Sequence, residues 1–66
     1  MKILVNGKPS EVDAGTTVAQ VLATLEIETR QVAVEVNCDL VPRKCHAEHL
    51  LRDGDKIEIV TLVGGG

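Results

Sequence analysis

The chain begins with a short apolar stretch that ends at a turn signal. Residues 1–6 predict a short strand, and Asn6 with Gly7 predicts a tight turn because both residues tolerate a positive φ. Residues 10–13 can form a second strand antiparallel to the first, with Pro9 at its beginning, where no ladder donor is needed. The pattern therefore predicts a β-hairpin.

The next hydrophobic positions follow the helical period. Thr17 and Gln20 have the spacing of a capping box, in which two side chains satisfy otherwise unpaired backbone N–H groups at a helix start. Apolar residues then recur at the i, i+3, i+4 and i+7 positions of one helix face, which are Val18, Val21, Leu22 and Leu25. We expect this apolar stripe to face a sheet.

The second half of the chain returns to the strand period. Val32, Val34 and Val36 alternate with less apolar residues, as in a half-buried strand. Residues 37–39 can turn the chain, and Leu40 with Val41 forms a short apolar stretch that Pro42 ends. This part of the sequence therefore predicts a strand, a turn and a second, shorter strand.

The last segments complete the fold prediction. Residues 45–51 are too few for more than a helical turn, which Leu50 and Leu51 are expected to anchor, and a turn at residues 52–55 precedes the longest strand signal, residues 57–63. The right-handed crossover rule places that last strand beside the first, in parallel. This is the α+β arrangement called β-grasp, or ubiquitin-like: a mixed sheet of four to five strands packed on one main helix. Residues 1–63 form the domain and residues 64–66 a flexible glycine tail.

The amino-acid composition and the net charge disfavour several classes of function. The 66 residues include 21 Val, Ile or Leu and no aromatic residue, so folding uses most of the apolar side chains that an enzyme needs for a walled pocket. A carrier or binding module is therefore favoured over an enzyme. The net charge of -3 and the scattered basic residues disfavour nucleic-acid binding. The absence of a long apolar run and of a signal-peptide pattern predicts no membrane association and a cytoplasmic location.

Two cysteines and two histidines raise the question of a metal or catalytic site. Cys38, Cys45, His46 and His49 are all plausible zinc ligands, but Cys45 and His46 are adjacent and the spacing matches no common zinc motif. Neighbours in sequence also rarely hold the geometry of a nucleophile and its base. We expect no metal, two reduced and partly buried thiols, and solvated histidines.

The three glycines at residues 64–66 carry the candidate chemistry. An extended stretch of this length reaches roughly 10 Å, and without Cβ atoms it can pass through a narrow channel. A carboxylate on Gly66 becomes reactive only after conversion to a mixed anhydride, so a partner's site must supply the catalysis and this chain is the substrate. A frayed glycine end without a function is the alternative that the three residues alone leave open.

The strand and tail at residues 52–66, RDGDKIEIVTLVGGG, resemble the C-terminal signature of the ThiS family, the sulfur carriers of thiamine biosynthesis. The MKILVNG segment at residues 1–7, Thr17 with Val18, and the VPR segment at residues 41–43 also resemble that family. The resemblance implies that Gly66 is adenylated by an E1-like, ThiF-type adenylyltransferase with ATP and Mg²⁺ and then becomes a thiocarboxylate. It further implies a cysteine desulfurase as the origin of the sulfur and a ThiG-type thiazole synthase as its recipient. Gly65 belongs to the recognised pair with Gly66, and Gly64 is less specific.

Three alternatives remain open. The small subunit of molybdopterin synthase shares the fold and a Gly-Gly end, although it is typically longer. A ubiquitin-like modifier would join Gly66 to lysines of other proteins. A passive β-grasp interaction domain would not need Gly65 and Gly66 at all.

The final strand also predicts a surface for partners. If Ile57 and Ile59 lie in the core, Val60 and Leu62 face away from the helix, because side chains alternate along a strand. Leu4 on the neighbouring first strand is expected to join them in an exposed apolar patch near the tail, and we hypothesise that partners dock there.

Overall fold

The hairpin at the start of the chain forms as predicted. In the computed structural model, which describes residues 1–62, strand β1 (Lys2–Val5) pairs antiparallel with strand β2 (Lys8–Glu11). Asn6 and Gly7 take φ values of 50° and 82°, and this two-residue turn lets Val5 pair directly with Lys8. Strand β2 therefore begins two residues before the predicted start, with Pro9 on an outer strand of the sheet.

Helix α1 spans Val18–Thr24 and starts at the predicted capping box. The hydroxyl of Thr17 accepts the N–H of Gln20, and the side chain of Gln20 accepts the N–H of Thr17. Val18, Val21 and Leu22 are buried, as the stripe predicts. Leu25 was predicted to face the sheet as well, and this is wrong: it follows the helix as the C-cap residue and is 47% exposed.

The remaining strands complete a mixed sheet of five. Strands β3 (Val32–Val36), β4 (Asp39–Val41) and β5 (Lys56–Thr61) give the order β2-β1-β5-β3-β4. Strand β5 is parallel to β1 and antiparallel to β3, so the crossover prediction is confirmed, and with it the β-grasp fold. The described part of β5 begins one residue before the prediction, and Val63, its predicted end, lies outside the described residues.

The core lies between α1 and one face of the sheet. Its buried members are aliphatic throughout: Ile3, Val18, Val21, Leu22, Val32, Val34, Val36, Val41, Leu51 and Ile57. Leu51 anchors the segment before β5 as expected, since it is 4% exposed. Leu50 does not, because it is 61% exposed and its backbone instead forms an isolated bridge with Thr17.

Candidate functional site at the end of strand β5

Strand β5 is the middle strand of the sheet and leads directly to the predicted glycine tail. Its neighbour on one side is β1 and on the other β3, so its first part is hydrogen bonded from both sides. Beyond β5, the N–H of Leu62 donates to the carbonyl of Gln31 at 2.9 Å. The predicted site residues Gly64, Gly65 and Gly66 lie outside the described residues. The structure therefore describes the base from which the tail leaves.

Two asparagine side chains hold β5 at separate points. Oδ1 of Asn37 accepts the N–H of Lys56 at 3.0 Å, at the start of the strand. Oδ1 of Asn6 accepts the N–H of Ile59 at 2.7 Å, and Nδ2 of Asn6 donates to the carbonyl of the same residue at 3.2 Å. From the sequence, Asn6 and Asn37 were predicted only to form turns. Their position directly after strands was the available signal, but it does not say which strand each side chain reaches.

An exposed apolar surface lies on the side of the sheet that faces away from α1. Val60 is 56% exposed and Leu62 54% exposed, and Ala33 lies directly opposite Val60 on β3. Leu40, on the outer strand β4, is 64% exposed and alternates with the buried Val41. We call three of these residues the outer apolar surface: Ala33, Val60 and Leu62. Leu40 faces the same side of the sheet, but it pairs with Glu35, so a charged residue lies between it and Val60. The exposure of Leu40 was not predicted, although its alternation with Val41 is the period-two signal for this face.

Leu4 does not belong to the outer apolar surface, and this corrects the prediction. It is half-buried and pairs with Lys56, four residues before Val60 and six before Leu62. At the rise of a strand those separations are roughly 13 and 20 Å. Strand β1 ends at Val5, so no residue of that strand lies beside the second half of β5.

The histidine and cysteine cluster does not form a reactive site among the described residues. His46 was predicted to be solvated, and this is wrong, because it is 2% exposed. Its Nε2 lies 3.0 Å from the carbonyl of Val41, and its Nδ1 contacts the hydroxyl of Thr29. Both ring nitrogens are therefore occupied. Within residues 1–62, no three His, Cys, Asp or Glu side chains lie close enough to hold a metal ion.

A cleft of about 820 Å³ lies between β2 and α1. Its walls include the aliphatic side chains of Val5, Val12, Val21 and Leu25, with Lys8, Glu11 and Asp13 among its polar residues. Neither histidine and neither cysteine lines it. The cleft offers no nucleophile with an adjacent base, so the end of β5 is the better candidate for the chemistry.

None of the helices in residues 1–62 combines the length and the apolar character that crossing a membrane requires.

Known proteins match this chain over nearly its whole length. The model of the ThiS family matches residues 3–66, a range that includes the three glycines. The sulfur carrier protein ThiS of Escherichia coli (strain K12) is 35% identical over 66 residues, which is the full length of both chains. The crystal structure of the thiamine biosynthesis protein ThiS from Geobacter metallireducens superimposes with a TM-score of 0.84 at 35% identity, again covering both chains completely.

Longer proteins match as well. The thiazole synthase of Paramagnetospirillum magneticum is 42% identical over 66 residues, which is all of this chain and 20% of that protein. The thiazole synthase of Magnetococcus marinus is 41% identical over the same length and is also covered to 20%. The chain thus spans about one fifth of the length of these two relatives.

Proposed function

Because the chain belongs to the ThiS family, we propose that it is the sulfur carrier for the thiazole moiety of thiamine and a substrate of other enzymes. The observation that carries the proposal is the family match over residues 3–66, which includes Gly65 and Gly66. The fold supports it, since β5 is a central strand whose end leads to these glycines. A protein with this role needs a firm body and an accessible last carbonyl.

The chemistry takes place at the carbonyl carbon of Gly66. The carboxylate oxygen attacks the α-phosphate of ATP and releases pyrophosphate, which leaves an acyl-adenylate. The outer sulfur of a persulfide then attacks the carbonyl carbon, and the bond to the AMP oxygen breaks, which leaves an acyl disulfide. A thiol reductant cleaves the S–S bond of this intermediate and is itself oxidised to a disulfide, and a thiocarboxylate remains on Gly66. An E1-like, ThiF-type adenylyltransferase supplies the ATP and Mg²⁺ site, and sulfur from a cysteine desulfurase supplies the nucleophile.

The role of this chain in that chemistry is to present the carboxylate of Gly66 to the partner's site. The described residues offer no nucleophile and base pair near the end of β5, so positioning and charge stabilisation come from the partner's site. The outer apolar surface supports docking of that partner, because exposed aliphatic residues clustered at one place commonly mark interaction sites. Docking there would bring residues 64–66 to the partner's cleft.

The recipient of the sulfur is a ThiG-type thiazole synthase. Two thiazole synthases carry a segment similar to this whole chain within one polypeptide. Such a fusion raises the effective concentration of carrier and synthase for each other, which is useful when the two act in sequence. We propose the same pairing of carrier and synthase for this chain, in the cytoplasm.

Intact-mass measurement tests the proposal. The purified protein is first weighed to establish that Gly66 carries a free carboxylate, and it is then incubated with the adenylyltransferase, ATP, Mg²⁺ and a sulfur donor. We expect a gain of about 16 Da, because one oxygen is replaced by sulfur. The variant that lacks Gly65 and Gly66 is the control, and we expect it to gain nothing and to support no thiazole formation.

The alternatives give different outcomes in the same experiment. Adducts of much higher mass, with lysines of other proteins, would indicate a ubiquitin-like modifier instead. A thiocarboxylate that molybdopterin synthase uses and thiazole synthase does not would indicate the small-subunit function. If the shortened variant still supports thiazole formation, the sulfur-carrier proposal is wrong.

A further inference from the structure

The hydrogen bonds between the hairpin and β5 continue beyond the last backbone hydrogen bond that β1 can make. The backbone N–H of Asn6 donates to the carbonyl of Ile57 at 2.8 Å, after which the chain turns into β2. The side chain of Asn6 then takes the place of a further strand residue, since it accepts from the N–H of Ile59 and donates to its carbonyl. Among residues 1–62, this amide is the last group on the hairpin side to which β5 is hydrogen bonded.

Beyond Ile59 the strand is held from one side only. Val60 and Thr61 pair with β3, and Leu62 donates to the carbonyl of Gln31. A strand that is paired on both sides has its direction and twist fixed, whereas one paired on a single side can swing about that contact. The contact of Asn6 with Ile59 therefore marks the boundary between these two parts of β5.

We propose that Asn6 is a positioning residue for the reaction at Gly66, because its amide fixes the direction in which the end of β5 leaves the sheet. This inference rests on the proposed function. Three residues at about 3.3 Å each separate Ile59 from Leu62, which is about 10 Å in all. A rotation of about 10° at Ile59 therefore moves Leu62, the last described residue before the glycines, by about 1.7 Å. Misplacement of a reacting group by about 1 Å can reduce a rate by up to 100-fold.

Asn37 provides a matched control. It also occupies a turn with positive φ, 53° against 50° for Asn6, and both residues are exposed. Its side chain likewise accepts a backbone N–H of β5 and makes a second hydrogen bond, to Asp55. The difference is the location, because Asn37 holds the start of β5 at Lys56 and Asn6 holds it at Ile59. Replacing either with glycine removes the side chain while keeping a residue that accepts positive φ.

The test compares Asn6→Gly with Asn37→Gly in adenylation by the activating enzyme and in the backbone order of the free protein. We expect both variants to fold, with unfolding midpoints lowered by similar amounts, about 5 °C each. Asn6→Gly is expected to lower kcat about fivefold with KM within about twofold of the wild type, because fewer docked molecules present the carboxylate correctly. Asn37→Gly is expected to leave both constants within about twofold of the wild type.

Order parameters of the backbone N–H groups supply the readout that a general loss of stability does not change. In Asn6→Gly, the values for Thr61 and Leu62 are expected to fall from about 0.85 toward 0.6, and in Asn37→Gly they are expected to stay unchanged. Equal order parameters in the two variants, or equal kcat values, would overturn the inference. If the wild-type protein itself is not adenylated, the proposed function fails, and the order parameters alone then decide whether Asn6 orders the end of β5.

Discussion

Within residues 1–62, four residues other than glycine adopt positive φ, and different interactions hold them in that conformation. Asn6 and Asn37 have side chains that bond to β5, and Asn and Asp are the residues that tolerate this conformation best. Cys38 follows Asn37 in the turn between β3 and β4, with φ of 73°. Its side chain is exposed, so the expectation of a partly buried thiol is wrong for Cys38. A turn of this type prefers glycine at its second position. Cys38 is therefore the residue of this turn at which backbone strain has no side-chain compensation among the described hydrogen bonds.

Replacing Cys38 with glycine is expected to stabilise the protein. The left-handed conformation costs a residue with Cβ about 1–2 kcal/mol, while glycine loses about 0.4–1 kcal/mol more chain entropy on folding. The balance is a gain of about 0.5 kcal/mol in the free energy of unfolding. Urea unfolding with an unchanged m-value measures it.

Cys38→Ala is the matched control for that substitution. Alanine keeps the Cβ and so keeps the strain, and we expect no gain in the free energy of unfolding. An equal gain in the alanine variant would attribute the effect to loss of the thiol and contradict the explanation from backbone conformation.

The start of helix α1 was predicted correctly, but its end was not. At its start, Thr17 and Gln20 signal their role through residue type and spacing. At its end, the N–H of Ile27 donates to the carbonyl of Leu22 and that of Glu26 to Ala23, which is the Schellman pattern. Glu26 takes φ of 59° there, at the position that glycine usually occupies. Without a glycine, the sequence offers no sign that the helix ends before Leu25.

Substitution of two leucines by alanine tests this account of α1. Leu22 is 2% exposed and packs in the core, so Leu22→Ala is expected to lower the free energy of unfolding by about 2–5 kcal/mol. Leu25→Ala is expected to lower it by about 1 kcal/mol or less, because about half of that residue is already exposed to water. Thermal or urea unfolding of the two variants measures both values, and similar losses would mean that Leu25 belongs to the core after all.

Some features of the strands are determined by residues close in sequence, and others by residues far apart. The alternation of Val32, Val34 and Val36 and the turn signal at Asn6 and Gly7 are local, and the structure confirms both. The register of β5 on β1 is not local, since it joins residues more than 50 positions apart. No turn length sets that register, and it is the reason that the predicted place of Leu4 was wrong.

On the scale of the whole molecule, the sheet order places the chain's last strand at the centre. A central strand is the firmest base that a small sheet offers. The crossover through α1 leads to β3, which leaves one strand position open beside β1, and β5 fills that position. The sequence predicted from element order alone that the last strand lies beside the first, in parallel, but not that it is central. It also did not predict the hydrogen bonds of the Asn6 amide to Ile59, because these depend on which strands become neighbours.

The last prediction concerns binding of the adenylyltransferase to the outer apolar surface. Leu62→Asp places a charge on this surface and is expected to weaken binding to the adenylyltransferase about tenfold or more, because a carboxylate buried at an interface without a partner is costly. Leu50→Asp is the control: Leu50 is exposed to a similar degree, 61% against 54%, but lies near the start of α1, where it pairs with Thr17. We expect its dissociation constant to stay within about twofold of the wild type. Calorimetric titration of the two folded variants measures the difference, and equal affinities would mean that the partner binds elsewhere on the sheet or recognises residues 64–66 alone.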